Sequence, residues 1–280
     1  MSRVLTFGRM IKLSHSIFAM PFALASAALA ARSAGITWAQ GLLVVTCMVL
    51  ARSCAMGFNR IVDREFDAKN PRTAIREIPS GQISVGAAKA FTAAAAVGFV
   101  AAAFALNPLC GWLSPIALAV ICGYSYAKRF TALVHLWLGV ALGLAPVAAW
   151  IALTGTVSPA ALLLAGAVAT WVAGFDILYS LQDEEFDRGQ GLKSIPVALG
   201  QVGAMWVSGG LHVGTAALLA ALPAQVALGW PYWVGYAVIV AVLAYEHWLV
   251  RPGDLSRIDK AFFDLNGYVS LLFLGAVLLG

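Results

Sequence analysis

The sequence predicts an all-α polytopic membrane protein with about nine transmembrane helices. Three observations lead there. Of the 280 residues, 61% are hydrophobic and only 11% charged, whereas a soluble domain carries roughly 25% charged and 45 to 50% apolar residues. The apolar residues gather in nine stretches, each close to the roughly 20 residues a helix needs to cross about 30 Å of hydrocarbon. Charge, finally, is crowded into alternate connections between the stretches. Together these exclude a water-soluble globule.

In chain order the stretches run 15–34, 37–58, 86–106, 109–126, 132–153, 159–181, 202–222, 230–250 and 263–280. The connections around Asn107-Pro108, at 154–158 and at 223–229 hold no charge, and the one after the first stretch holds only Arg32. The other side carries 16 of the 18 Lys and Arg residues: Arg3, Arg9 and Lys12, then Arg60, Arg64, Lys69, Arg72, Arg76 and Lys89, then Lys128 and Arg129, Arg188 and Lys193, and Arg251, Arg257 and Lys260. Basic loops face the cytoplasm, so the N-terminus and these four loops are expected on the cytoplasmic side of the inner membrane, with Gly280 outside. Ala28-Leu29-Ala30 resembles a signal-peptide cleavage site, but cleavage there would strip the basic loops of their matching N-terminus. The net charge of +5 and pI near 9.2 fit cytoplasmic loops better than nucleic acid, because no basic stripe exists. Cys47, Cys54, Cys110 and Cys122 lie in apolar runs without a C-x-x-C pair, so neither a disulfide framework nor a zinc site is indicated.

The chain repeats itself. Asp63, Arg64, Glu65, Phe66 and Asp67 follow the second stretch; Asp183, Glu184, Glu185, Phe186 and Asp187 follow the sixth, 120 residues later. The simplest reading is a single domain over 1–280 built of two similar four-helix halves, about 12–130 and 131–250, plus a ninth helix. Repeats in membrane proteins often share a site at their interface.

Asn59, Asp63 and Asp67 are spaced by four, as are Asp183 and Asp187, which places each set along one helical face. Carboxylates in this pattern, presented twice, suit a hard cation such as Mg2+, which prefers oxygen ligands and bridges to substrate phosphates. Arg72, Lys128, Arg129 and Lys193 come from three loops and can surround the anion. Deeper on the same faces are Arg52 and Asp176, each seven residues before its motif and so about 10 Å further into the membrane. Ionisable groups there are costly and mark either a mutual ion pair or substrate contact. His15 and Tyr124 are candidates to line a cavity, while Glu246 and His247 read as interface residues with no partner visible.

These segments resemble the UbiA-type intramembrane aromatic prenyltransferases over most of the chain. Residues 59–73 look like that family's first aspartate-rich motif; Asp176 to Tyr179, Asp183 to Asp187 and Gly191 to Ser194 look like its second; and 124–131 is similar to its loop between the fourth and fifth helices. The form of the motifs is closest to the 4-hydroxybenzoate polyprenyltransferases, including the subgroup of the futalosine route to menaquinone. One departure is Val134-His135, where many 4-hydroxybenzoate enzymes have Pro-Gln.

The resemblance implies a nine-helix enzyme that moves a polyprenyl group from its diphosphate to an aromatic ring in ubiquinone or menaquinone biosynthesis. By the same resemblance Asn59, Asp63, Asp67, Asp183 and Asp187 would hold Mg2+ and diphosphate, Lys128 would contact the diphosphate, Arg52 would face the carboxylate of the aromatic acid, and Asp176 would lie close to that acid; Tyr124 is a further substrate-binding candidate. The partners expected are thus a polyprenyl diphosphate, an aromatic acid and the lipid bilayer, with no nucleic acid. Two other readings remain: an acceptor without a carboxylate, such as haem or a chlorophyll precursor, which would leave Arg52 without its role; and a transporter, which would leave the paired aspartates unexplained.

Overall fold

The computed structural model describes residues 3–11 and 18–280, with side chains from residue 6 onward. Lys12, His15 and the start of the first expected span lie outside the described residues. Among the described residues every regular element is a helix, apart from one isolated bridge between Arg251 and Asp254. Helix α1 (Arg3–Met10) comes first, then α2 (Met20–Ala34), α3 (Trp38–Val62), α4 (Arg64–Lys69), α5 (Val85–Leu106), α6 (Pro108–Ala127) and α7 (Val134–Thr154). There follow α8 (Pro159–Ser180), α9 (Glu184–Gly189), α10 (Ile195–Ala221) and α11 (Trp230–Leu249). The short α12 (Ile258–Lys260) runs through a π turn, Ala261–Leu265, into α13 (Asn266–Leu279).

Each expected span coincides with a helix, and seven are long and apolar enough to cross a membrane: α3, α5, α6, α7, α8 with its continuation, α10, and the run Ile258–Leu279. The described part of α2 is 15 residues. In α11, Trp and Tyr at both ends, with Glu246 and His247, dilute an otherwise apolar run.

Local chemistry sets where the helices begin and end. Thr37 opens α3 with a capping box: its hydroxyl accepts from the Gln40 N–H while the Gln40 side chain accepts from the Thr37 N–H. Ser84, Ser158 and Ser194 cap α5, α8 and α10 in the same sense, with Pro159 and Pro196 in first turns where a missing N–H costs nothing. Gly155 closes α7 in the left-handed region at φ 68°. Gly200, at φ 68° and ψ 176°, breaks α10 into a short first turn and a long span.

Two compact units divide the chain. One comprises 1–16 and 37–126, the other 17–36 and 127–280, so α2 belongs with the C-terminal helices although it comes early in sequence. In the first unit, Met10, Ile11, Ile78, Ile83 and Ala88 form an apolar core, with the Phe7 and Phe91 rings 4.9 Å apart. A Cβ on Gly57 would collide with Thr92 Oγ1, which shows how closely α3 approaches α5. Beside α6, Cys54 Sγ lies 3.8 Å from Cys122 Sγ.

The second unit packs around α8. Phe22 of α2 stacks on Phe273 of α13 at 4.5 Å and meets Trp171 of α8 at 5.0 Å. Because lipid is as apolar as leucine, helices in a membrane associate through close van der Waals fit rather than by hiding apolar surface. Gly139 and Gly143 of α7 show that fit: a Cβ on Gly139 would strike the Ala169 carbonyl oxygen, and one on Gly143 would lie 2.6 Å from that of Ala165.

Candidate active site: two aspartate half-sites

In the first unit the helix that carries Asn59 ends at Val62, and Asp63 takes φ −92°, ψ 4° before α4 begins. This bridge conformation is sparsely populated in general and recurs among active-site residues. The break leaves the four-residue spacing intact, because the Asp63 N–H still donates to the Asn59 carbonyl (2.9 Å) and the Asp67 N–H to that of Asp63 (2.8 Å). Asn59 donates its amide to Asp63 Oδ2 at 2.7 Å and lies 3.5 Å from Ser125 Oγ of α6. Asp67 is buried; its Oδ1 pairs with Arg76 Nη1 at 2.6 Å, and its Oδ2 has no hydrogen-bond partner. Arg76 thus supplies a guanidinium to Asp67, the buried Arg60 also acts on it electrostatically, and Arg72 is exposed on the same loop. Arg52 is half-buried in α3 and Tyr124 half-buried in α6.

The second unit repeats the backbone. Helix α8 ends at Ser180, a 3-10 turn spans Leu181–Asp183, and Asp183 takes φ −101°, ψ 0° before α9. Asp187 is buried and pairs with Lys128 Nζ at 2.7 Å. The loop that carries Lys128 is itself pinned: the Lys193 N–H donates to the Lys128 carbonyl at 2.7 Å, and Lys193 Nζ to that of Phe130 at 3.2 Å. Lys128 and Lys193, named separately from the sequence, are thus one arrangement; Arg129 is exposed beside them. Deeper on α8, Asp176 Oδ2 lies 2.6 Å from His135 Nδ1.

Sequence reasoning did not single out Arg76 or His135. Arg76 was one basic residue among six in its loop, and His135 lies 41 residues from its partner; only the Val134-His135 departure pointed at it. Glu246 and His247 require a correction. Glu246 is 1% exposed, Asn266 of α13 donates to its Oε1 at 2.8 Å, and His247 Nε2 lies 2.9 Å from His212 Nδ1. The reading as interface residues without partners fails, for Glu246 by burial and for both by these contacts, because α10 and α13 pack on that face of α11, which hydropathy does not reveal.

The donor set fits magnesium. Its members are carboxylate and amide oxygens, the hard ligands this ion prefers. The buried, unpartnered Asp67 Oδ2 calls for a cation or a proton. No group of three or more His, Cys, Asp or Glu converges to hold a metal among the described residues; magnesium takes one or two carboxylates and draws its remaining ligands from water and phosphate.

A family model described as the UbiA prenyltransferase family matches residues 19–272. A 4-hydroxybenzoate octaprenyltransferase of Cupriavidus necator is 31% identical over 240 residues, 85% of this chain and 83% of that protein; one from Aliivibrio fischeri is 30% identical over 237 residues, with 85% and 83% covered. Among solved structures, the apo form of a UbiA homolog from Aeropyrum pernix superposes with a TM-score of 0.85 at 35% identity, covering 95% of this chain and 97% of that one. A UbiA homolog from Archaeoglobus fulgidus bound to DMAPP and Mg2+ shares the fold, with a TM-score of 0.79 at 20% identity and 98% coverage of each chain.

Proposed function

The chain belongs to the UbiA prenyltransferase family and is a prenyltransferase; on that premise we propose that it transfers a polyprenyl group from its diphosphate to an aromatic acid, 4-hydroxybenzoate or a relative such as 1,4-dihydroxy-6-naphthoate, in quinone biosynthesis. The observation that carries this is the duplicated motif. In each copy the first aspartate stands in the same bridge conformation, and in each the second is buried against a cation. The names of the relatives support the acceptor class, and the magnesium-bound homolog supports the metal.

In this reading Asn59, Asp63, Asp67, Asp183 and Asp187 hold magnesium and diphosphate, with Arg72, Tyr124, Lys128, Arg129 and Lys193 on the donor. Magnesium, when bound, offsets the charge of the departing diphosphate. Lys128, held by its loop, presents its ammonium to the same anion, and a cation placed in advance stabilises charge that develops as the allylic C–O bond breaks. Arg52 holds the acceptor's carboxylate, so that the ring carbon beside the hydroxyl faces the allylic carbon. The new C–C bond forms there, and the ring proton leaves to Asp176 while its electron pair restores aromaticity. The apolar spans exclude water, which would otherwise capture the allylic cation. The charge of the basic loops supports the cytoplasmic side of the inner membrane for this chemistry.

The test is to incubate purified protein in detergent with geranyl diphosphate, magnesium and each candidate acid, and to look for the prenylated acid by mass spectrometry. Product that requires both magnesium and the carboxylate is expected. Folded protein that yields no product with any aromatic acceptor would overturn the reading.

A further inference from the structure

His135 is the second residue of α7, and its side chain is only 1% exposed, while that of Asp176 on α8 is 16% exposed. One edge of the carboxylate is therefore clamped from behind and another is open. The 2.6 Å separation of His135 Nδ1 from Asp176 Oδ2 lies at the short end for a hydrogen bond to a charged acceptor. Since a carboxylate only accepts, Nδ1 carries the hydrogen. Ser180, whose Oγ donates to the Ile177 carbonyl at 2.8 Å, stands at the far edge of the ring with that oxygen 3.5 Å from His135 Nε2. The close approach that makes this possible comes one turn further along α7, where Gly139 lies against the Ala169 carbonyl.

An isolated aspartate at this depth has several rotamers. The histidine removes that freedom, since its N–H fixes the carboxylate's orientation. The geometry points to His135 as a positioning residue for Asp176, one that aims the carboxylate at the ring proton released when the acceptor is prenylated. This rests on the prenyl-transfer reading above. The balance is simple: the ring C–H bond breaks, its electrons return to the ring, and the proton passes to Asp176, which remains bonded to the His135 N–H as a carboxylic acid until the site reopens. The benzoate is held by Arg52, so His135 is expected to act on turnover rather than on binding.

The test uses reach. In Asn the amide nitrogen is as many bonds from Cα as Nδ1 is in His; in Gln it lies one bond further out. His135→Asn is expected to restore the bond and His135→Gln to miss it. In the full-length protein, with geranyl diphosphate and the acid that the wild type accepts, His135→Leu and His135→Gln should lower kcat by about tenfold to a hundredfold, with KM for both substrates within about twofold of wild type. His135→Asn should recover most of the rate. If His135→Leu does not fold, the Asn and Gln pair decides alone: equal rates, whether both high or both low, overturn the proposal. Asp176→Asn separates the two layers. If it is inactive while His135→Gln matches His135→Asn, positioning fails and the role of Asp176 stands. If Asp176→Asn turns over like wild type, or wild type prenylates no acceptor, the underlying reading fails and the proposal with it.

Discussion

The two aspartate motifs share a backbone but are wired differently. In the first, the partners come from nearby in the chain: Asn59 serves Asp63 from four residues away, and Arg76 serves Asp67 from nine. In the second they come from afar, with Lys128 reaching Asp187 across 59 residues and His135 reaching Asp176 across 41. The surroundings differ as well. In α8, 61% of the spanning window is buried within the protein, against 22% in α3. A motif that draws its partners from its own stretch of chain keeps its geometry without help from distant helices. One that borrows partners from other helices depends on a rigid, centrally packed support, and α8 with its glycine-spaced neighbour supplies that.

The comparison can be broken most decisively at the leading aspartates. Asp63→Asn and Asp183→Asn keep the shape and remove the charge; each should lower kcat by about a hundredfold to a thousandfold, the scale of losing one preorganised electrostatic contact. Similar losses in a prenylation assay would show the motifs to be chemically equivalent. A variant that kept near-normal rates would show that its motif is scaffolding.

Next come the paired cations. Lys128→Ala leaves Asp187 buried without its ion-pair partner, and Arg76→Ala removes the ion pair of Asp67; each should cost about 3 kcal/mol of stability, since a buried charge then loses its bonded counter-ion. Thermal unfolding in detergent measures this. The contrast lies in rescue: adding Asp187→Asn to Lys128→Ala should restore stability without turnover, while adding Asp67→Asn to Arg76→Ala should do so over the loop 70–82 alone, as read by proteolysis there.

Arg52→Ala should raise KM for the aromatic acid by about tenfold to a hundredfold, the worth of a hydrogen bond to a charged group, and leave KM for the prenyl diphosphate unchanged. A drop in protein yield with unaltered acceptor KM would instead give Arg52 a purely structural part.

The smallest effect is expected from Glu246→Gln. Its Oε1 accepts from Asn266, which in turn accepts from the Trp171 indole at 2.8 Å. The amide has nearly the same shape and keeps an acceptor there, so unfolding should shift by less than about 1 kcal/mol. Asn266→Ala, which orphans both neighbours, should cost clearly more.

Most of this molecule was legible before any coordinates. Apolar runs of about 20 residues must be helices in lipid, because only intrahelical bonds satisfy the backbone there, and capping residues such as Thr37 and Ser158 mark where those helices start. The four-residue spacing of the aspartates and their 120-residue repeat are local facts, and so the motif survived even where the helices break at Asp63 and Asp183. Lys193 could be named from its place after the second motif, and Lys128 from the family resemblance. Their joint clamp could not, since it depends on a backbone bond between distant loops.

What the sequence determined by itself, then, is everything governed by contacts along the chain: the helices, their ends, the duplicated carboxylates and the family they resemble. Only the tertiary structure decided which cation meets which carboxylate, that α2 packs with the C-terminal helices, and that Glu246 faces inward. The physical reason is that pairing across tens of residues is fixed by how closely helices approach. That approach depends on single small residues such as Gly139, whose absent side chain leaves no signal in composition or periodicity.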